Sequence, residues 1–116
     1  SDSIADGISY PHPRAFGTFP KILKELFSRK PEALGAWVRK STSETADFFG
    51  LKSRGRITPG AYADLVLFDP VKTRDRADYR SPSLLSEGAR WVFVNGAPVI
   101  QDGKYQGLKK GSILGL

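Results

Sequence analysis

The sequence predicts a mixed fold, helical over its first half and stranded over its second, with the change near residue 53. Two observations carry this. Up to Gly50 the apolar residues recur at three- and four-residue spacings, and after it short apolar runs are bounded by Gly, Pro, Asn and Asp. The chain is 40% apolar and its charges are dispersed, which is the composition of a folding sequence rather than of a disordered tract.

Taken in order, Thr18 is placed to cap a first helix and Pro20 to sit in its first turn, with Ile22, Leu23, Leu26 and Phe27 on one face. A second helix is predicted from Pro31, carrying Leu34, Trp37 and Val38 as a common stripe. A third is predicted from Ser41, where Ser41 and Glu44 have capping-box spacing, and it stops at Gly50. Pro59-Gly60 then suits a turn, and Ala63 to Phe68 reads as a strand ended by Asp69-Pro70. Val71 to Glu87 is polar and rich in turn formers, so a surface excursion is expected there. Arg90 to Val94 is the next strand, Asn95-Gly96 a type I′ turn, and Ala97 to Gln101 the returning strand, which Pro98 assigns to a sheet edge.

Composition bounds the function classes. At 116 residues the chain supports one domain at most. It has no cysteine, which excludes disulfides, thiol nucleophiles and cysteinyl metal sites and agrees with a reducing, cytoplasmic setting. No apolar run approaches the roughly 20 residues of a membrane span, so no membrane partner is expected. Ser1-Asp2-Ser3 lacks an initiator methionine, and a cut or processed start is expected. The net charge is +6, yet the longest basic runs are pairs such as Arg29-Lys30, Arg39-Lys40 and Lys109-Lys110, and aromatics do not interleave with them. A solvated basic surface is therefore expected, with no nucleic-acid partner.

Several motifs point further. They are Ser1-Asp2, Pro11-His12-Pro13-Arg14, Phe16-Gly17-Thr18-Phe19-Pro20, the block from Gly55 to Asp69, Val94-Asn95-Gly96 and the glycine-rich end around Gly111. Together they resemble the C-terminal part of the D-aminoacylase branch of the amidohydrolases, the N-acyl-D-amino-acid deacylases, over nearly the whole chain. The Gly55 to Asp69 block and Val94-Asn95-Gly96 resemble the superfamily broadly, whereas Pro-His-Pro-Arg followed by Gly-Thr-Phe-Pro resembles this branch.

The resemblance implies an α/β plus β fold class: the C-terminal end of a TIM-like barrel, with its last strand, active-site loop and closing helices in residues 1–52, followed by the C-terminal strands of a small β-sandwich in residues 53–116. Neither part would be complete alone, so the faces carrying Ile22, Leu26, Trp37 and Val38 are expected to be partly uncovered, favouring oligomerisation. It also implies site residues. Asp2 would contact zinc and shuttle the proton between the metal-bound water and the leaving amine, a role that requires a carboxylate at that place. Ser3 departs from the family's pattern, which has glycine after this aspartate. Arg14 would grip the substrate carboxylate with its planar guanidinium. His12, between two prolines, would either touch substrate or brace the loop. Asp64 and Asp69 are read as structural.

The implied activity is metal-dependent cleavage of the amide bond of an N-acyl-D-amino acid. With one histidine and no cysteine, the isolated chain is expected to hold no catalytic zinc and to be inactive; zinc, substrate and the remainder of the barrel belong to the complete enzyme. Two alternatives stand beside this: a fragment of a cyclic-amide amidohydrolase of dihydroorotase or hydantoinase type, and a non-enzymatic interaction domain. Carboxylate preference through Arg14 separates the first alternative from the deacylase.

Overall fold

The computed structural model describes Ser3 and residues 10–114; Asp2 lies outside the described residues. The chain divides into two compact units, Ser1–Pro31 with Asp69–Gly88, and Glu32–Phe68 with Ala89–Leu116. The helix-to-strand change expected near residue 53 falls inside the second unit.

In the first unit, helix α1 runs over Arg14–Arg29. It begins earlier than the expected cap at Thr18. Pro13 takes the N-cap position with φ −51°, already helical, and His12 Nδ1 accepts the Arg14 N–H at 3.1 Å, satisfying a donor that a helix start leaves open. Thr18 lies inside the helix instead, its hydroxyl donating to the Arg14 carbonyl at 2.7 Å. Pro20 is therefore an interior residue and not a first-turn one. Its missing N–H would have gone to the carbonyl of Phe16, four residues earlier. That carbonyl is satisfied by the Ser86 hydroxyl at 2.7 Å, and this is what lets a proline remain in mid-helix. On the predicted face Ile22, Leu23 and Leu26 are half-buried and Phe27 is exposed.

The segment 69–88 is irregular and largely exposed, as its turn formers imply, and it is also tied down. It is closed at its base: the Asp69 N–H donates to the Gly88 carbonyl at 2.9 Å, and Thr73 returns both its N–H (2.8 Å) and its hydroxyl (2.7 Å) to the Asp69 carbonyl. Asp69 Oδ1 accepts from the amides of Val71 and Lys72, confirming a structural carboxylate. The segment also meets α1, where a Cβ at buried Gly17 would come within 2.9 Å of Asp75 Cβ. Turn-rich composition signalled irregularity but not this tertiary closure.

Arg74 and Glu87 form an isolated antiparallel bridge. Across it Glu87 accepts from Arg74 Nε at 2.8 Å and from Arg76 Nη1 at 2.9 Å. The Arg74 hydrogen bond above all, against an opposing effect of burial, holds the Glu87 carboxyl below the ordinary carboxylate range; the charges of Arg74 and Arg76 add to it. A depressed folded-state value means that the stabilisation is complete above the unfolded carboxylate's value, about 4, and is lost as pH falls through the lower folded value. Acid unfolding monitored from pH 6 downwards should therefore lose part of its steepness in Glu87→Gln. An unchanged acid limb would show that the bridge contributes nothing.

From Pro31, the last residue of this stretch of the first unit, a 3₁₀ turn at Pro31–Ala33 leads into one continuous helical stretch of the second: α2 over Leu34–Arg39, a π turn over Lys40–Glu44 and α3 over Thr45–Phe48. The separate helix expected from Ser41 does not form. Lys40 keeps helical angles (φ −59°, ψ −40°), and Glu44 pairs with Arg39 at 2.6 Å rather than reaching back as a capping box. The hydroxyls of Thr42 and Thr45 bond the carbonyls of Val38 and Lys40, four and five residues back, which widens the turn without breaking it. The exit at Gly50 is as predicted. Its φ is +65°, Leu51 N–H returns to Ala46 and Gly50 N–H to Asp47, the paired bonds of a Schellman motif.

The sheet has four strands in the order β1 (Leu65–Phe68), β2 (Ala89–Val94), β3 (Ala97–Gln101) and β4 (Lys104–Tyr105), all antiparallel. Asn95 (φ +50°) and Gly96 (φ +81°) make the expected type I′ turn. Asp102-Gly103, at +44° and +77°, repeats it and leads into β4, which was not anticipated. Consequently β3 is not an edge strand. Pro98 is tolerated because β4 pairs only with Ile100 and Gln101, so the place where Pro98 has no donor is not asked for one.

Among the described residues the buried apolar side chains are Ala46 and Val99, and no large side chain is fully enclosed. Ile22, Leu26 and Trp37 are half-buried and Val38 is exposed, in line with faces that are incompletely covered.

Candidate functional site

Around Arg14 the chemistry starts from two prolines. Pro11 and Pro13 fix their own φ angles, and between them the His12 ring uses both nitrogens. Nδ1 accepts the Arg14 N–H at 3.1 Å, and Nε2 lies 3.1 Å from the Tyr79 hydroxyl. The rings of His12 and Tyr79 meet edge to face, with centroids 5.3 Å apart. Tyr10 ties the same two segments together, its hydroxyl lying 2.8 Å from the Arg80 carbonyl and 3.2 Å from that of Tyr79. Beside them Tyr10, Pro11, Arg80, Pro82 and Leu84 line an open cleft of about 570 Å³.

Arg14 itself is exposed, and among the described residues its guanidinium makes no ion pair. Other arginines are engaged: Arg39 with Glu44, Arg54 with Asp64, Arg56 with Asp47, Arg74 and Arg76 with Glu87, and Arg90 with Asp102. The structure thus brings His12 and Arg14 together, with the guanidinium of Arg14 in no ion pair among the described residues. Tyr79 was not singled out by sequence, because 67 residues separate it from His12 and no local pattern links them. Ser3, next to Asp2, is half-buried, and among the described residues its hydroxyl has no hydrogen-bond partner.

Among the described residues no three His, Asp or Glu side chains converge as a metal site.

Residues 2–100 match the amidohydrolase family. The chain belongs to that family. It is 39% identical over 117 residues to a D-aminoacylase from Alcaligenes xylosoxydans xylosoxydans, an alignment that covers 95% of this chain and 24% of the relative. Among solved structures it resembles a D-aminoacylase (44% identity, TM-score 0.75, covering 84% of this chain and 21% of that one). It also resembles an N-acyl-D-glutamate deacylase from Bordetella bronchiseptica, solved with zinc and a phosphonate inhibitor (40% identity, TM-score 0.70, 82% and 21% covered). The chain therefore spans about a fifth to a quarter of the length of these proteins.

In this amidohydrolase chain the Gly55 to Asp69 block has a structural task. Arg54, whose side chain is 14% exposed, pairs with Asp64 through Nη1 and donates to Asn95 Oδ1 from Nη2 at 2.8 Å. Its guanidinium also lies 4.1 Å from the Tyr62 ring centroid, a cation–π arrangement. Asp64 Oδ1 accepts the Asn95 N–H at 2.8 Å, and Gly96 N–H reaches the Ala63 carbonyl at 3.0 Å. The aspartate of the first motif thus braces the turn of the second, which accounts for the occurrence of both in one sequence.

Proposed function

We propose that this chain is the C-terminal part of a zinc-dependent amidohydrolase that cleaves the amide bond of N-acyl-D-amino acids to give a carboxylate and a free D-amino acid. In this reading residues 1–52 close the catalytic barrel and carry its active-site loop, and residues 53–116 contribute strands to a β-sandwich. Zinc in the complete protein would supply the activated water, and its further donors would come from outside the described residues. The roles of Arg14 and His12 do not depend on them. Asp2 is assigned to the metal and to proton transfer, accepting a proton from the attacking water and returning it to the leaving nitrogen. Arg14 is assigned to the substrate carboxylate, and His12 to the same subsite. The chain alone, without the rest of the barrel, is expected to be inactive.

The observation that carries this reading is Arg14: an exposed guanidinium that pairs with no carboxylate among the described residues, on a backbone held by His12, in a chain whose relatives are named for N-acyl-D-amino-acid chemistry. In the full-length protein, Arg14→Ala should reduce the ratio of kcat/KM for an N-acyl-D-amino acid to that for its carboxamide analogue by about 100-fold, the loss of a paired charge-assisted contact. An unchanged ratio would reject the deacylase in favour of an amidohydrolase acting on a cyclic amide.

A further inference from the structure

We infer that Tyr79, acting through His12, is a positioning residue for Arg14, and that this pair sets how strongly the site selects a substrate carboxylate. The inference rests on the assignment of Arg14 to that carboxylate. Its own support is the hydrogen-bond order. Because His12 Nδ1 accepts the Arg14 N–H, that nitrogen carries no proton. The neutral ring therefore holds its proton on Nε2 and donates it to the Tyr79 hydroxyl oxygen, 3.1 Å away.

The ring is thus a rigid strut with one end on the backbone of the proposed carboxylate-binding residue and the other on a side chain 67 positions later. Pro11 and Pro13 remove φ freedom on either side of it, so the orientation of His12 is what remains to be set. The edge-to-face packing against Tyr79, at 5.3 Å and 80°, sets it. Tyr79 is in turn held through its backbone, since the single Tyr10 hydroxyl proton is shared between the Arg80 carbonyl at 2.8 Å and the Tyr79 carbonyl at 3.2 Å. A guanidinium grips a carboxylate in paired fashion only when its plane is correctly placed, and small displacements of such a clamp are expensive. Hydrogen bonds at the two ends of His12 therefore bear on selectivity, although Tyr79 itself is assigned no contact with substrate.

The test uses the full-length protein and the same substrate pair, an N-acyl-D-amino acid and its carboxamide analogue. Tyr79→Phe deletes one oxygen and keeps the ring; the selectivity ratio should fall about fivefold, the worth of one neutral hydrogen bond. In the Arg14→Ala background the same change should produce no further fall, because the group being positioned is gone. If Tyr79→Phe does not fold, His12→Asn cuts the same link from the other side: its Oδ1 can take the Arg14 N–H, but it has no second nitrogen for Tyr79. A fall of at least about fivefold is expected, since His12 is itself assigned to the subsite. A ratio that collapses in Arg14→Ala and stays intact in Tyr79→Phe or His12→Asn would overturn the positioning role while leaving the assignment of Arg14 standing. An equal fall in both backgrounds would also overturn it, since Tyr79 would then act independently. A ratio unmoved by Arg14→Ala would reject the underlying assignment, and the inference with it.

Discussion

Gly88→Ala is expected to destabilise the protein by about 3–5 kcal/mol, the sum of a strained backbone and an overpacked contact. Gly88 sits at φ +105°, where a residue with a side chain is strained, and a Cβ there would come within 2.4 Å of both Cα and Oγ1 of Thr73. Thr73 has no room to yield. It is 4% exposed, and its amide and hydroxyl are both committed to the Asp69 carbonyl. The loss should be local before it is global: hydrogen exchange at the amides of Thr73 and Arg74, which hold the base of the 69–88 segment, should accelerate first. Gly35→Ala is the matched control. Gly35 lies in α2 with nothing within 4 Å of the added carbon, so there the change should be neutral or stabilising by up to about 1 kcal/mol. Equal behaviour of the two variants would refute the close approach of Gly88 to Thr73.

Asp64→Ala should cost about 3 kcal/mol, because it strands a largely enclosed cation and an amide at once. The Arg54 side chain is 14% exposed, and without Asp64 it would keep only Asn95 Oδ1 and the Tyr62 ring. The Asn95 N–H would lose its acceptor in the same step. Asp64→Asn separates the two effects, since an amide oxygen can still receive the Asn95 N–H while the charge is gone, and it should fall between wild type and alanine. Exchange of the Asn95 and Gly96 amides reports on the turn directly. By contrast, Asp47 and Arg56 form their pair in the open, and although the Arg56 hydrogen bond lowers the Asp47 carboxyl below the ordinary range, screening by solvent should leave Asp47→Ala with a small effect. If Asp64→Ala proved as mild as Asp47→Ala, the bracing role of the motif would be refuted.

What the sequence disclosed was local. Asn95-Gly96 selects its turn because both positions need positive φ, Asp69-Pro70 ends β1 because proline withholds a donor, and Gly50 leaves its helix through left-handed angles; each is decided by one or two residues. What it concealed was compensation at a distance. Pro20 looked like a first-turn residue because nothing nearby predicts that Ser86 will satisfy the carbonyl it orphans. Ser41 and Glu44 looked like a cap because Arg39, which claims Glu44, is a partner chosen by the folded turn. Asp102-Gly103 carried the same signal as Asn95-Gly96, but a strand of two residues gives no periodicity to see. The proposed site divides in the same way. Pro11-His12-Pro13-Arg14 was legible as a motif, while Tyr79, which completes its hydrogen bonding, was not.

The bond between Ser86 and the Phe16 carbonyl has a consequence for biosynthesis. A ribosome delivers Phe16 70 residues before the hydroxyl that caps its carbonyl, so the nascent helix must pass through that interval with a proline-made gap in its ladder. The unit containing α1 can close only after Gly88 has emerged, and the second unit waits longer still, for Ala89–Leu116. A pause or truncation between Pro31 and Gly88 would leave α1 exposed to chaperones and proteases in its incomplete form.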